Sequence, residues 1–253
     1  MKKSILHILF LLIVGTLSAQ EVGMLFDQAN TSYREGNYQE ALLKYHQIDS
    51  LGKHSADLYY NLGNTYYKLN QIGPSIYYFE KALVADSDHK DAKHNLVFAQ
   101  RMTIDAFEEL PKNIFQKFNE KVIYPTPYNT WAWVSVVLSF LIALFFLLYY
   151  FSNYSGRKRL FFTGSILSLV LFLFSVSFTI KSKHYILNHQ PAIIFNSKVS
   201  VKAEPTSKSS EIFELHEGTK VQIVEQIDTW YKIKIADGKV GWILENSFKK
   251  IKS

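Results

Sequence analysis

The residues able to do chemistry are sparse, and they do not converge. Asp86, Asp88, His89, Asp91 and His94 form the densest group of potential metal ligands. A calcium loop of the EF-hand kind needs a glycine at its sharp turn and a closing Glu, and neither follows here. His89 and His94 are five residues apart, which places them on different faces of a helix. The group therefore reads as a polar turn between helices, with no metal site. The chain has no Cys, so it can form no thiolate nucleophile, Cys-ligated metal site or disulfide. Its eight His are scattered, and no nucleophile-elbow or Gly-rich phosphate loop occurs. No catalytic residue and no cofactor is assigned, and the expectation is a protein that is not an enzyme.

The elements around these residues are set by an uneven charge distribution. The 253 residues carry 28 Lys+Arg against 22 Asp+Glu, a formal charge of +6. Yet Trp131 to Phe151 and Leu160 to Ile180 are each 21 residues without a charge. At ~1.5 Å rise per residue such a helix spans roughly 31 Å, about one hydrocarbon core. The thirteen Val, Leu, Ile and Phe of the first run favour insertion by about 6 kcal/mol, at ~0.5 kcal/mol each. Trp131, Trp133, Tyr149 and Tyr150 lie at its ends, where amphipathic rings prefer the headgroup layer. In the second run Thr163, Gly164, Ser165, Ser168, Ser175 and Ser177 are small enough for close helix approach. The intervening Arg157, Lys158 and Arg159 mark a loop held in the cytoplasm.

The N-terminus agrees with that orientation. Met1-Lys2-Lys3, the apolar stretch Ile5–Val14 and Ala19 form a secretory signal, cleaved after Ala19 or retained as an anchor. Both arguments put the two flanking regions outside the inner membrane. Lys2, Lys3 and the loop cations also account for much of the basic excess, so no nucleic-acid partner is expected.

Sliding the chain on itself by 34 residues matches Ala29 with Gly63, Asn30 with Asn64, Tyr33 with Tyr67 and Tyr45 with Phe79. Asn61-Leu62 recurs as Asn95-Leu96 at the same offset. This period belongs to stacked helical hairpins, with small residues where helices cross. The segment Ala56–Leu69 and the turn Glu35-Gly-Asn-Tyr-Gln-Glu-Ala41 resemble tetratricopeptide repeats, over about residues 22–103. Ser75 departs from the usual Ala. The resemblance implies an all-α solenoid, closed by a capping helix reaching Leu110, with a concave groove for peptides or partner proteins. Matched position by position, the groove residues are Asn30, Tyr33, Arg34, Tyr60, Asn64, Tyr67 and Lys68. Some or all of them can instead serve repeat packing.

After the repeats, Ile114, Phe115, Phe118 and Val122 oppose Lys112, Lys117, Glu120 and Lys121. This short amphipathic helix would lie on the outer bilayer surface or against the last repeat helix. From Pro191 the pattern turns to period two, with strands at 199–202, 212–215, 220–227, 230–235 and 240–244. Val199–Ser207, Glu217-Gly-Thr-Lys-Val221, Thr229-Trp-Tyr-Lys-Ile233 and Gly241-Trp242 resemble bacterial SH3-like domains, small all-β barrels that bind cell-wall peptides or proteins. Trp230, Tyr231 and Trp242 are the contact residues this resemblance implies; all three can instead close the barrel core, which suits Trp242 best.

The predicted organisation is a signal peptide (1–19), a tetratricopeptide domain (20–110) and an amphipathic juxtamembrane connector (111–129). A transmembrane α-hairpin follows (130–151 and 160–180, joined by a cytoplasmic loop, 152–159). A linker (181–190) leads to the SH3-like domain (191–253). This layout resembles the BatE-type family of the bacterial aerotolerance operon. The resemblance implies a scaffold working with von Willebrand A domain membrane proteins and a MoxR-type ATPase system. The alternative is an envelope sensor or anchor that holds peptidoglycan through its SH3-like domain.

Overall fold

The computed structural model describes residues 21–107 and 110–251, so the signal reading lies outside the described residues. The chain forms two compact units, one containing residues 21–107 and 191–251 and the other residues 110–190.

In the first unit, helix α1 runs through 21–34, followed by α2 (Tyr38–Ser50), α3 (Ala56–Lys68), α4 (Ile72–Ala85) and α5 (Lys90–Gln100). The 34-residue period is visible in the turns. Gly36 (φ +83°) and Asn70 (φ +58°) occupy equivalent left-handed positions, which Gly and Asn adopt most readily. After them, the Asn37 amide donates to Ser32 O at 2.8 Å and the Gln71 amide to Tyr66 O at 3.0 Å. The crossing of α3 and α4 is tight at Gly63, where a Cβ would stand 2.6 Å from the Phe79 ring. Ala29, Ala41, Ala82, Ala92 and Ala99 are wholly buried at other crossings. Ser75 is tolerated because its hydroxyl donates to the Gly63 carbonyl at 2.8 Å, leaving no buried polar atom unpaired.

The expected capping helix does not form. Helix α5 ends at Gln100, and residues 103–107 leave it as irregular chain. Asp105 and Phe107 of that stretch are taken up by the sheet that follows.

Seven strands follow: β1 (Gln190–Ile194), β2 (Lys198–Lys202), β3 (Glu211–His216), β4 (Lys220–Ile227), β5 (Trp230–Lys234), β6 (Val240–Leu244) and β7 (Phe248–Lys250). Their order is β3-β2-β6-β5-β4-β1-β7. They curl around one apolar core that includes Val201, Leu215, Tyr231, Ile233 and Ile243, with Phe107 packed against it. Strands β1 and β7 were not expected; β7 is only three residues, too short to show a period. They pair antiparallel, and Ile193 and the following Ile251 face the other way, into the core of the helical hairpins. The helices and the sheet therefore share apolar packing.

In the second unit, Asn113 opens α6 (Ile114–Phe118) with a reciprocal capping box to Gln116, and a π-helical turn (Asn119–Ile123) continues it. Two long helices follow, α7 (Tyr128–Phe151) and α8 (Ser155–Asn188), both apolar and long enough to cross a membrane. Only Ser152–Tyr154 separate them, so Arg157, Lys158 and Arg159 ride on the first turns of α8 rather than in a loop. The far end of α8 absorbs most of the expected linker; its 34 residues extend ~51 Å at ~1.5 Å each. Ser168, Ser175 and Ser182 of α8 are all buried and seven residues apart, Ser175 facing α7 and Ser182 the turn that leads into it. This is the spacing of a left-handed coiled seam. The Ser135 hydroxyl donates to Ser175 Oγ at 3.0 Å, Ser175 donates to Trp131 O at 2.8 Å, and Ser182 donates to Thr126 O at 3.1 Å.

Candidate functional site

Helices α1, α3, α4 and α5 place one side chain set around a cleft of about 190 Å³, lined by Tyr33, Asn64, Tyr67, Lys68, Phe79, Asn95 and Phe98. Four of the seven groove residues read from the sequence meet there. Asn64 Oδ1 accepts from Asn95 Nδ2 at 2.7 Å, which leaves the Asn64 amide N–H groups to the cleft. Asn95 Nδ2 also donates to the Tyr60 hydroxyl at 3.4 Å. Its own carbonyl is then the matching acceptor. A donor and an acceptor side by side suit the backbone of an extended peptide. Burial, reinforced by Tyr38 and Tyr60, pushes the Tyr33 phenol above its ordinary range, so it stays protonated and able to donate. Lys68 is exposed and is the one charged residue of the lining.

Asn30, Arg34 and Tyr60 fall outside the cleft. Asn30 Oδ1 accepts from Tyr45 Oη at 2.7 Å and from Asn61 Nδ2 at 3.1 Å, so its carbonyl serves packing between hairpins. Arg34 donates to Thr31 Oγ1 at 2.9 Å on its own helix. Tyr60 rests 4.9 Å from the His89 ring. Phe79, Asn95 and Phe98 line the cleft without having been assigned to it. Phe98 was within reach of the repeat, for it stands 34 residues after Asn64.

The acidic and histidine group at the α4–α5 turn does local work. Asp86 Oδ1 accepts from the Asp88 amide at 2.9 Å, and His89 Nδ1 accepts from the Ala92 amide at 3.2 Å, capping α5. His89 Nε2 points at Asp57 Oδ1, 3.4 Å away. Among the described residues no three potential ligands gather around a metal position.

On the sheet, Tyr231 is 2% exposed and Trp242 7% exposed. Tyr231 packs its ring 5.0 Å from Phe248 and donates to Glu245 Oε1 at 3.3 Å. Both are buried: strand alternation turns Tyr231 into the sheet's core, and Lys232 Nζ lies over the Trp242 ring, 5.6 Å from its centre. Trp230 alone of the three remains half-buried, paired across the sheet with exposed Ile227 and Leu244.

A second surface of the sheet is occupied by the helices. In the β3–β4 turn, Gly218 (φ +87°) comes so close that a Cβ would stand 2.8 Å from Thr103 Cγ2 and 3.0 Å from Ile76 Cδ1. Glu217 Oε1 accepts from the Gly73 amide at 3.0 Å, adding a negative charge at the α4 N-terminus. Lys220 Nζ lies 2.6 Å from the buried Glu80 Oε1. Asp105 accepts from the His216 backbone amide at 2.7 Å and from Thr219 Oγ1 at 2.5 Å, and its Oδ1 is 2.8 Å from His216 Nδ1.

Residues 197–248 match the family described as Bacterial SH3 domain, a family of binding rather than catalytic domains. No curated protein matches the chain. The matched residues cover strands β2 to β6 and reach Phe248, the first residue of β7. Together with two helices fit to cross a membrane, the match points to a bacterial envelope protein that carries a binding domain.

Proposed function

We propose that this chain is a membrane-anchored, non-catalytic interaction scaffold of the bacterial inner membrane, with both outer regions in the periplasm. In this reading the helical hairpins are a tetratricopeptide solenoid and α7–α8 is the anchor. The observation that carries it is the convergence of Tyr33, Asn64, Tyr67 and Lys68 on one cleft beside Phe79 and Phe98. The cleft takes an extended segment of a partner protein, with the Asn64–Asn95 pair on its backbone and the aromatic rings on its side chains. The BatE-like layout makes von Willebrand A domain membrane proteins and a MoxR-type ATPase system the partners to seek, in stress or oxygen tolerance. A photo-crosslinking amino acid at Tyr67, in the full chain in its native membrane, should capture a discrete set of membrane proteins. The same probe at exposed Lys53 should not. Equal capture from both positions would remove the groove from the proposal.

The match at 197–248 supports a second reading, in which the sheet holds peptidoglycan. Its free apolar surface is the Ile227–Trp230–Leu244 row. Because Ile193 and Ile251 belong to the helical core, the test needs the full chain rather than a fragment. Purified cell wall should retain the detergent-solubilised protein, and Trp230→Ala should release it. No retention of the unaltered chain would end that reading.

A further inference from the structure

Residues 110–190 hold eight Lys or Arg against a single acid, Glu120. Three of the cations stand at Arg157–Arg159. The other five, Lys112, Lys117, Lys121, Lys181 and Lys183, collect at the opposite end of the hairpin. Contacts within this unit bring them together. Phe118 of α6 packs 6.1 Å from Phe178 of α8, and Phe178 packs 5.0 Å from Trp131 of α7. Tyr124 stacks on Tyr185 at 3.8 Å and an interplanar angle of 5°, and Ile123, just before Tyr124, is fully buried. The α6–π-turn helix thus lies beside residues 178–185 of α8, where the uncharged run gives way to lysines.

Among the described residues, two features of this end have no partner. Ile114 is 83% exposed and Phe115 79% exposed, on the same short helix as Phe118. Lys117, Lys121, Lys181 and Lys183 are exposed, and among the described residues none of them makes an ion pair. Glu120 is engaged with Lys112 at 3.0 Å. Large apolar side chains next to unneutralised cations, at the depth where a membrane span ends, match one surface: acyl chains topped by negatively charged phosphodiester headgroups.

We propose that Ile114, Phe115 and the lysine collar form a binding surface for anionic phospholipid in the leaflet at this end of the hairpin. The inference rests on the reading of α7 and α8 as membrane spans. Ile114 and Phe115 enter the headgroup–acyl boundary, and Lys117, Lys121, Lys181 and Lys183 donate to lipid phosphate oxygens. The full chain, reconstituted in phosphatidylcholine vesicles, is to be probed by electron paramagnetic resonance with spin-labelled phosphatidylglycerol and, separately, spin-labelled phosphatidylcholine. Phosphatidylglycerol should be held at the protein surface at least about twofold over phosphatidylcholine. The combined change Lys117→Gln, Lys121→Gln, Lys181→Gln and Lys183→Gln should bring the two to parity and leave the immobilised phosphatidylcholine unchanged. Parity in the unaltered protein, or a preference that survives the combined change, would overturn the lipid site. Absence of an immobilised component for both lipids would instead overturn the membrane reading on which it rests.

Discussion

Asp105 ties the end of the helical stack to the sheet through one carboxylate. Its side chain is 9% exposed and receives three bonds from the β3–β4 turn. Burial alone would raise its pKa, but the Thr219 hydroxyl and the His216 backbone and ring outweigh that and hold it below the usual aspartate value. A depressed folded-state pKa contributes stability above the unfolded value, about 3.9, and loses it as pH falls through the folded value. Asp105→Asn keeps the shape and removes the charge. It should cost about 1–3 kcal/mol at neutral pH, the scale of a lost charged hydrogen-bond set. The gap from the unaltered protein should narrow below the usual carboxylate range and close once Asp105 is protonated. Urea unfolding of the purified chain across that range checks this; a pH-independent gap would mean that the charge is not the cause. Asp105 was invisible as an anchor in the sequence, because nothing in a local pattern announces a partner 111 residues away. Asn64 and Tyr67 were legible because the period repeats them. Tyr231 stayed open between surface and core, because an aromatic residue on a short strand reads equally as either until the sheet's partners are known.

At the scale of elements, the hairpin shows why composition finds a helix more readily than its packing face. The uncharged runs predict two spans, and α7 and α8 contain them. Of the six small residues that were candidates for the contact, Ser168 and Ser175 are buried and Gly164 meets α7 closely, a Cβ there standing 3.3 Å from the Phe145 ring; Thr163 and Ser177 are exposed. The third buried serine, Ser182, bonds Thr126 just before α7 and lies beyond the uncharged run, where hydropathy gives no reason to extend the helix. What selects the face is the seven-residue spacing, which a left-handed pair keeps in register. The chain has no native Cys, so the contact can be trapped. The pair Ser135→Cys and Ser175→Cys replaces hydroxyls 3.0 Å apart and should cross-link under mild oxidation in the full chain. The pair Ser139→Cys and Ser177→Cys, at exposed positions, should not. Protease cleavage between the helices followed by non-reducing electrophoresis reads the result, and equal cross-linking of both pairs would refute the serine seam.

At the scale of the molecule, the two regions flanking the hairpin are not independent modules on a flexible tether. Ile193 and Ile251 from the sheet side lie in the helical core, Phe107 from the helical side packs on the sheet core, and Phe195 packs 5.4 Å from Tyr77. A pattern of helical period followed by strand period reads as two domains, because periodicity reports local form and is silent on which surfaces meet. The shared packing constrains topology in a way that cation counting cannot. Lysines at one end of the hairpin offset Arg157–Arg159 at the other, so the charge bias alone does not orient it. Residues 21–107 and 191–251 belong to one body, and a chain that crosses the membrane twice between them must return to the side it left. Single Cys residues in place of exposed Lys53 and Lys208 should therefore react with a membrane-impermeant maleimide from the same face of sealed cells. A Cys at Ser155 should react only in inverted vesicles. Labelling of positions 53 and 208 from opposite faces would break the shared core and the two-span hairpin together. Labelling of both from the cytoplasmic face would keep the core and reverse the orientation.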